Sequence, residues 1–323
     1  MVALEFISLG NPVRTVLKHC ELPKSTFYYK STGGKQGRKP YAVIFDKNGN
    51  LTSESIVLEE IKRLFEHPFV DYGCFKTYIF LKSTKQFKIS KHMVYQIMKS
   101  NQLLRNRHLV SSKKQKRNWV TDLLPKTTGA FTYFEFDIKY FWVAGRRRNA
   151  QVLTIIDIET RIVMGQYIAY SIEKKHVIDL FAKVISLFGM PTNFTVRSDN
   201  GSQFTAAETQ EYLIGRGINQ EFTKPATPQQ DAHVEAYHSI VERAVCQRYS
   251  FENINDLKKT LQSFQEFYNF ERIHSGTAYT SPYLNFLQKE KELNSSPLLK
   301  TSLDFLAQSY SNYINNSVQG LAD

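Results

Sequence analysis

The hydrophobic pattern changes at Phe131, and this change limits the possible folds more than any other feature of the sequence. The segment FTYFEFDIKYF alternates, with Phe134, Phe136 and Ile138 on one face of a strand. After a GRRRN turn, the apolar run VLTIIDI predicts a buried central strand, and RIVMGQYIAY predicts a third strand after a turn at Glu159. Short turns between successive strands predict an antiparallel meander.

Helices and strands alternate after this meander. EKKHVIDLFAKVISLFG has helical periodicity and ends at Gly189, and NFTVRSDNG predicts a fourth strand. A helix opened by Ser202, a short strand in NQEFTKP and a long helix in TPQQDAHVEAYHSIVERAVCQRY complete the order βββαβαβα. We therefore predict an α/β core over residues 131–250, with a mixed five-stranded sheet and flanking helices.

The positive charge is confined to the front of the chain. Residues 1–130 contain 23 Lys and Arg against 9 Asp and Glu, whereas residues 131–323 contain 19 against 21, so the net charge of +12 divides into +14 and −2. A basic half joined to a neutral half indicates that one part binds a polyanion, and nucleic acid is the leading candidate. A solvated basic surface without a partner is the alternative.

Helical periodicity between residues 54 and 104 predicts a helix-turn-helix DNA-binding domain. Two helices separated by HPFVDYG precede a third helix, for which Ser90 is the N-cap. This third helix presents polar side chains that suit the major groove, since Lys and Gln reach base edges there. The polar set consists of Lys91, His92, Tyr95, Gln96 and Lys99. A three-helix bundle whose polar face only meets water is the alternative.

The remaining segments complete the predicted organisation. We expect a short helix-turn-helix-like segment in 1–30, a basic linker in 31–53, a second basic linker in 105–130 and a C-terminal helical extension in 251–323. Residues 105–118 contain no acid, so we expect the second linker to follow a phosphate backbone. The basic residues expected to contact DNA there are Arg105, Arg107, Lys113, Lys114, Lys116 and Arg117.

Three acids fall where the predicted elements can bring them together. Asp137 lies on the first strand of the core, Asp199 at the end of the fourth, and Glu235 on the polar face of the last helix. Such carboxylates repel one another unless a hard divalent cation lies among them, and all-oxygen ligation suits Mg²⁺ or Mn²⁺. Two such ions can activate an attacking oxygen and stabilise a leaving oxygen at a phosphodiester. For each acid taken alone, a solvated carboxylate or a helix cap is the alternative.

Other polar residues near these acids have competing interpretations. Asp157 lies in a buried run and is expected to serve a structural hydrogen bond rather than catalysis. Asp231, one helical turn before Glu235, is expected to tune the local field. His238 either approaches the scissile phosphate or is a simple surface histidine. The histidines lack the spacing to thiols that a zinc site requires.

Three segments together resemble the DDE transposases of bacterial insertion sequences, namely VRSDNGSQF, TPQQDAHVEAYHSI and FYNFERIHSGTAYTSP. Asp199 in the first segment and Glu235 in the second are separated by 35 residues. These transposases are relatives of the retroviral integrases. Over about residues 12–288, the chain resembles the catalytic second-frame subunit of the large two-frame family. The resemblance implies a ribonuclease H-like fold and gives Asp137, Asp199 and Glu235 the roles of the triad.

The resemblance also implies a function and partners. We expect a DNA transposase that binds the terminal inverted repeats of its insertion sequence and catalyses metal-dependent 3′-end nicking and strand transfer. The implied partners are double-stranded DNA at the repeats and the target, further copies of the chain on DNA, and a protein from the upstream frame. A metal-dependent nuclease without strand transfer and a non-catalytic sequence-specific DNA-binding protein are the alternatives.

The sequence departs from the family at one position. Many relatives carry Lys or Arg seven residues after the glutamate, where this chain has Glu242. The DNA contact is either shifted by one residue to the neighbouring Arg243 or lost.

Compartment and membrane expectations follow from composition. The chain has no run of about 18 apolar residues, and its start lacks the features of a secretory signal. Cys20, Cys74 and Cys246 are far apart, which fits a reducing compartment. We expect a cytoplasmic bacterial protein without a membrane partner, associated with the nucleoid when bound to DNA.

Overall fold

The computed structural model describes residues 2–29, 43–104, 127, 129–190, 193–223, 232–292 and 297–319. Internal contacts divide the chain into two compact units, residues 1–42 and residues 43–323. None of the helices in the described ranges combines the length and the hydropathy that a membrane span requires.

The first unit contains three short helices, which are α1 (Val2–Ser8), α2 (Val13–His19) and α3 (Lys24–Phe27). Pro12 and Pro23 stand directly before α2 and α3, where a proline removes no helical hydrogen bond. Val16 and Leu17 of α2 are buried. The chain thus breaks at Pro23 as the sequence predicts, and the helix after the break has a single turn.

A hairpin and three helices begin the second unit. They are β1 (Ile44–Phe45), β2 (Leu51–Thr52), α4 (Glu54–Glu66), α5 (Cys74–Ser83) and α6 (Lys91–Ser100). The Ser90 hydroxyl accepts a hydrogen bond from the Met93 N–H (3.2 Å), which confirms the predicted start of α6. The three helices share a core of Val57, Ile61, Leu81, Val94, Ile97 and Met98.

Five strands form one mixed sheet in the order β5-β4-β3-β6-β7. They are β3 (Tyr133–Val143), β4 (Arg148–Asp157), β5 (Val163–Ala169), β6 (Thr195–Ser198) and β7 (Asn219–Phe222). The first three pair antiparallel as the predicted meander, whereas β6 is parallel to β3 and β7 is parallel to β6. Helices α7 (Lys174–Phe188), α8 (Ser202–Thr205), α9 (Ala207–Ile214) and α10 (Ala232–Val241) flank it. The predicted α/β, ribonuclease H-like fold is confirmed.

Side chains of β3 alternate between two hydrophobic layers. Phe136 contacts Phe181 of α7 and Phe204 of α8, with ring centroids 5.1 and 4.8 Å apart. Phe141 and Val143 face the opposite layer, which contains α10 and the next helix, α11 (Ile254–Phe270). Helices α12 (Pro282–Glu292) and α13 (Pro297–Gln319) follow. The odd-numbered residues of β3 therefore lie toward the helix that carries Glu235.

This helix differs from the sequence prediction in its second half. The sequence predicts one continuous helix, but α10 ends at Val241 and continues as a π-helix over Glu242–Cys246. Here the Gln247 N–H donates to the carbonyl of Glu242 (3.0 Å), which forms the wider π turn. The spacing of apolar residues did not reveal the π-helix. One extra residue in a turn only shifts the phase of the apolar pattern that follows.

Asp157, at the end of β4, is completely buried. Its carboxylate accepts hydrogen bonds from the N–H groups of Phe131 (3.1 Å) and Thr160 (2.7 Å) and from the Thr160 hydroxyl (2.6 Å). These bonds join the start of the core to the turn after β4, so the predicted structural role of Asp157 is confirmed. Burial raises the pKa of Asp157 to about 7.

We expect Asp157→Asn to flatten the pH dependence of stability. The ordinary pKa of this carboxyl is 3.8, so between about pH 4 and about pH 7 the folded state binds a proton more tightly than the unfolded state. The contribution of the carboxyl to the free energy of unfolding therefore falls as the pH rises. Relative to the variant, the wild type should lose up to about 4 kcal/mol across this range, at about 1.4 kcal/mol per pKa unit. Urea denaturation at acidic and mildly basic pH measures this loss, and a pH-independent difference would contradict it.

The loop between α4 and α5 binds the end of α11. Asp71 of this loop and Arg272, two residues after α11, form an ion pair in which both side chains are only 2% exposed. The backbone N–H of Ile273 donates to the Tyr72 hydroxyl (2.9 Å), and the Lys76 ammonium donates to the Ile273 carbonyl (2.6 Å). The segments HPFVDYG and FERIH, which sequence reasoning did not connect, are thus the two sides of one interface.

We expect Asp71→Ala to destabilise the second unit by about 3–5 kcal/mol, because it leaves the Arg272 guanidinium buried without its carboxylate. Replacing both residues, Asp71→Leu with Arg272→Met, should restore most of this stability, since a packed apolar pair needs no charge compensation. Arg243→Ala is the control, because it removes a more exposed contact to the same carboxylate (3.4 Å). Chemical denaturation followed by circular dichroism compares the variants. A double variant as unstable as Asp71→Ala would refute this explanation.

Candidate active site

One face of β3 carries three polar side chains that contact α10 and its π-helical continuation. Glu135 meets the first residues of the helix, Asp137 meets His238, and Lys139 meets Glu242. Alternate residues of a strand point to the same side, which explains why all three face this helix. The strand and the helix are therefore aligned side by side at the candidate site.

Glu135 holds the N-terminus of α10 in place. Its completely buried carboxylate accepts hydrogen bonds from the N–H groups of His233 (2.8 Å) and Val234 (2.9 Å), and its other oxygen lies 2.7 Å from His233 Nδ1. A carboxylate suits this position because the first N–H groups of a helix have no partner within the helix. The sequence alone gave Glu135 no role. The available signal was an acid that shares a strand face with Asp137.

Asp137 lies next to a histidine of α10. One carboxylate oxygen accepts from the Ile138 N–H (2.7 Å), and the other lies 3.4 Å from His238 Nδ1. His238 is only 8% exposed, and its Nε2 is buried without a hydrogen-bond partner among the described residues. His238 is therefore not a simple surface histidine, and it faces the candidate site.

Glu235 is exposed in the first turn of α10. Partial burial raises the pKa of Glu235, and the charges of Asp137 and Glu135 raise it further, whereas His238 lowers it. His238, which lies near the Asp137 carboxylate, is about one helical turn after Glu235 on α10. The structure thus brings the part of α10 that carries Glu235 next to Asp137, from positions almost a hundred residues apart in the chain.

Asp199 lies directly after β6, in the DNG turn. The parallel pairing of β3 with β6 ends at Glu135 and Arg197, and Asp199 follows two residues after Arg197. The Asp199 carboxylate accepts a hydrogen bond from the Gly201 N–H (2.9 Å). A side chain at position 201 would crowd this carboxylate, because a Cβ there would lie 3.0 Å from its oxygen.

No three His, Cys, Asp or Glu side chains are grouped closely enough to hold a metal ion within the described ranges. The donor set nevertheless fits a hard divalent cation, because Asp137, Asp199 and Glu235 offer only carboxylate oxygens. Burial is the main cause of the raised pKa of Glu235, and the Asp137 charge adds a repulsion that a cation would relieve.

The residues expected to contact DNA fall into three groups. Lys91, His92, Tyr95, Gln96 and Lys99 are all exposed on α6, opposite its buried face. The basic residues of the second linker lie outside the described residues, as does Asp231. They are Arg105, Arg107, Lys113, Lys114, Lys116 and Arg117. The Arg243 side chain is 43% exposed, and its Nε lies 3.4 Å from the Asp71 carboxylate. Arg243 therefore contacts the loop between α4 and α5.

Two family models, both described as an integrase core domain, match this chain. The first covers residues 128–228 and the second covers residues 216–282. The first match includes the whole sheet and Asp199, and the second includes α10 with Glu235 and the YNFERIH segment. The candidate site therefore lies inside the matched region.

Several known proteins are similar to this chain. An ORF3 protein of Spiroplasma virus SpV1-C74, named as an integrase, is 27% identical over 47% of this chain and 46% of its own length. The transposase for insertion sequence element IS904 of Lactococcus lactis subsp. lactis strain IL1403 is 26% identical over 39% and 51%. InsK of insertion sequence element IS150 from Escherichia coli strain K12, named as a transposase, is 23% identical over 81% and 89%. The chain thus spans about half the length of the first two relatives.

Solved structures are similar to this chain at a lower sequence identity. The chain in the simian T-cell lymphotropic virus intasome in complex with PP2A regulatory subunit B56 gamma has a TM-score of 0.44 and 13% identity, over 69% of this chain and 73% of that chain. The family models and the relatives support the resemblance drawn from the sequence. Residues 128–282 match integrase core domain models, and the chain is similar to proteins named as transposases of insertion sequences.

We expect Glu135→Ala to release the first turn of α10. The N–H groups of His233 and Val234 lose their acceptor, so their hydrogen exchange should accelerate at least about tenfold. Glu173→Ala is the control, because Glu173 is the N-cap residue of α7 and its loss should affect only the amides of that helix. Hydrogen exchange resolved by residue measures both. Unchanged protection at His233 and Val234 would exclude the role assigned to Glu135.

Proposed function

We propose that this chain is a DNA transposase that binds the terminal inverted repeats of its insertion sequence and catalyses metal-dependent 3′-end nicking and strand transfer. The supporting observation is the proximity of Asp137 on β3 to His238 on α10, about one helical turn after Glu235, inside the region that matches the integrase core domain. Burial raises the pKa of Glu235, and the charge of Asp137 raises it further. Placing like charges together costs stability. The binding of a cation and a phosphodiester at this site would explain why the chain keeps these acids together despite that cost.

Asp137, Asp199 and Glu235 would hold the metal, Mg²⁺ or Mn²⁺, and two ions are expected. When bound, these ions supply activation of an attacking oxygen and stabilisation of a leaving oxygen. The chain itself contributes positioning. Glu135 holds the helix end that carries Glu235, and the His238 imidazole orients the Asp137 carboxylate.

The reaction consists of two exchanges at phosphorus. First, a water oxygen bonds to phosphorus at the element end and the bond to the 3′ oxygen breaks, which leaves a 3′-OH and a 5′-phosphate. Next, this 3′-OH attacks a phosphodiester of the target and displaces another 3′ oxygen. Each step exchanges one P–O bond for another, so neither step requires ATP.

DNA binding would use the basic front part of the chain. The exposed face of α6 suits the major groove, and the basic residues of 105–117, with Arg243, would contact phosphates. We further propose that the chain acts in the bacterial cytoplasm, as a homo-oligomer on DNA, with a partner protein from the upstream frame.

An assay with a labelled element end separates this proposal from its alternatives. The full chain is incubated with Mg²⁺ and a duplex that carries the terminal inverted repeat. End-specific nicks with joined products support a transposase, and hydrolysis of the duplex without joining supports a nuclease. Binding of the duplex without cleavage supports a DNA-binding protein. A second duplex with a scrambled repeat tests whether nicking depends on the end sequence.

Glu235→Gln should abolish nicking and joining together while leaving DNA affinity nearly unchanged. The amide keeps the shape of the side chain but removes the negative charge that a divalent cation requires. Gel shift and product analysis on the same preparations measure affinity and activity. Glu211→Gln, an acid on α9, is the matched control and should retain activity. Joined products from the Glu235 variant would overturn the role given to this residue.

A further inference from the structure

Lys139 and Glu242 form an ion pair at the edge of the candidate site. The Lys139 Nζ lies 2.9 Å from a Glu242 oxygen, and the side chains are 21% and 46% exposed. Lys139 follows Asp137 by two residues on the same face of β3, so their Cα atoms lie about 6.6 Å apart along the strand. Glu242 follows Glu235 by seven residues, about two helical turns. The pair therefore lies beside the acids on both the strand and the helix.

The charges on this face pose a problem for a DNA substrate. Glu135, Asp137 and Glu235 are acidic, and their field repels a phosphodiester. Lys139 carries a positive charge next to this group, but the Glu242 carboxylate neutralises it. The resemblance implies a Lys or Arg at position 242 on the helix, but this chain has Glu242 there. The positively charged residue, Lys139, lies on the strand instead.

We propose that Lys139 is a DNA contact that binds a backbone phosphate beside the scissile one. Glu242 occupies the place of that phosphate until DNA displaces it. This inference rests on the proposed function, because it requires a DNA backbone at the Asp137 face.

The surroundings of the pair allow this exchange. A partly exposed Lys–Glu pair is a weak interaction, so a phosphate competes with the carboxylate for the ammonium. The Lys139 ammonium also lies 5.7 Å from the centre of the Phe141 ring, a contact that does not depend on Glu242.

DNA affinity without divalent ions tests the proposal independently of catalysis. The full chain is titrated in EDTA against a duplex with the terminal repeat and against a duplex of scrambled sequence, over a range of salt concentrations. The variants are Lys139→Ala, Lys139→Arg, Glu242→Ala and the double alanine variant. Lys174→Ala and Glu208→Ala are matched controls, because these residues form an exposed Lys–Glu pair elsewhere.

Lys139→Ala should weaken binding to both duplexes about tenfold and lower the slope of log Kd against log salt by about 1. Lys139→Arg should restore the slope. Glu242→Ala should strengthen binding about two- to fivefold, because it removes the competitor. The double variant should bind like Lys139→Ala, and the control variants should bind like the wild type.

Other outcomes overturn the proposal. Unchanged affinity and slope in Lys139→Ala exclude a phosphate contact, and equal weakening by Glu242→Ala identifies the pair as a structural ion pair only. A loss of affinity in Lys139→Ala that Lys139→Arg does not rescue indicates misfolding and also counts against it. Failure of the proposed function looks different: the wild type then either binds neither duplex, or binds DNA but gives no end-specific nicks with joined products in Mg²⁺.

Discussion

The candidate site depends on one buried carboxylate. Glu135 lies in the core without exposure, where a charge is unfavourable unless it is fully hydrogen-bonded, and burial raises its pKa to about 7. The N–H groups at the start of α10 satisfy it, and the positive end of the helix dipole stabilises its ionised form. Since Glu135 and Asp137 share a strand face, the contact that anchors the helix also brings His238, about one turn after Glu235, to Asp137.

A second constraint joins the three-helix region to the core. The buried pair of Asp71 and Arg272 lies within an interface where His67 also stacks on Phe267, with ring centroids 4.5 Å apart. Arg248, just after the π-helix, donates to backbone carbonyls of the same loop. The helices with the expected DNA-contacting face are therefore attached to the core by buried contacts as well as by the chain.

Sequence reasoning found the elements of the core and the acids on them, but not the contacts between distant segments. HPFVDYG predicts a break between helices, and the break is present between α4 and α5. Nothing in its composition indicates that Asp71 pairs with a residue 201 positions away. The same limit applies to Lys139 and Glu242, because a charged pair gives no periodic signal. The basic residues of 105–117 lie outside the described residues, so their expected role stays a prediction.

The sequence by itself determined the order of strands and helices, the residues that face the core, and the elements that carry Asp137, Asp199 and Glu235. These properties follow from local periods of two and about 3.6 residues, which hydrophobic patterning records directly. Only the tertiary structure decided that Glu135 caps α10, that α10 changes to a π-helix at Glu242, and that Lys139 reaches this acid. Such contacts depend on strand register and on how a helix packs across a sheet, and both are set by the whole core rather than by neighbours in the chain.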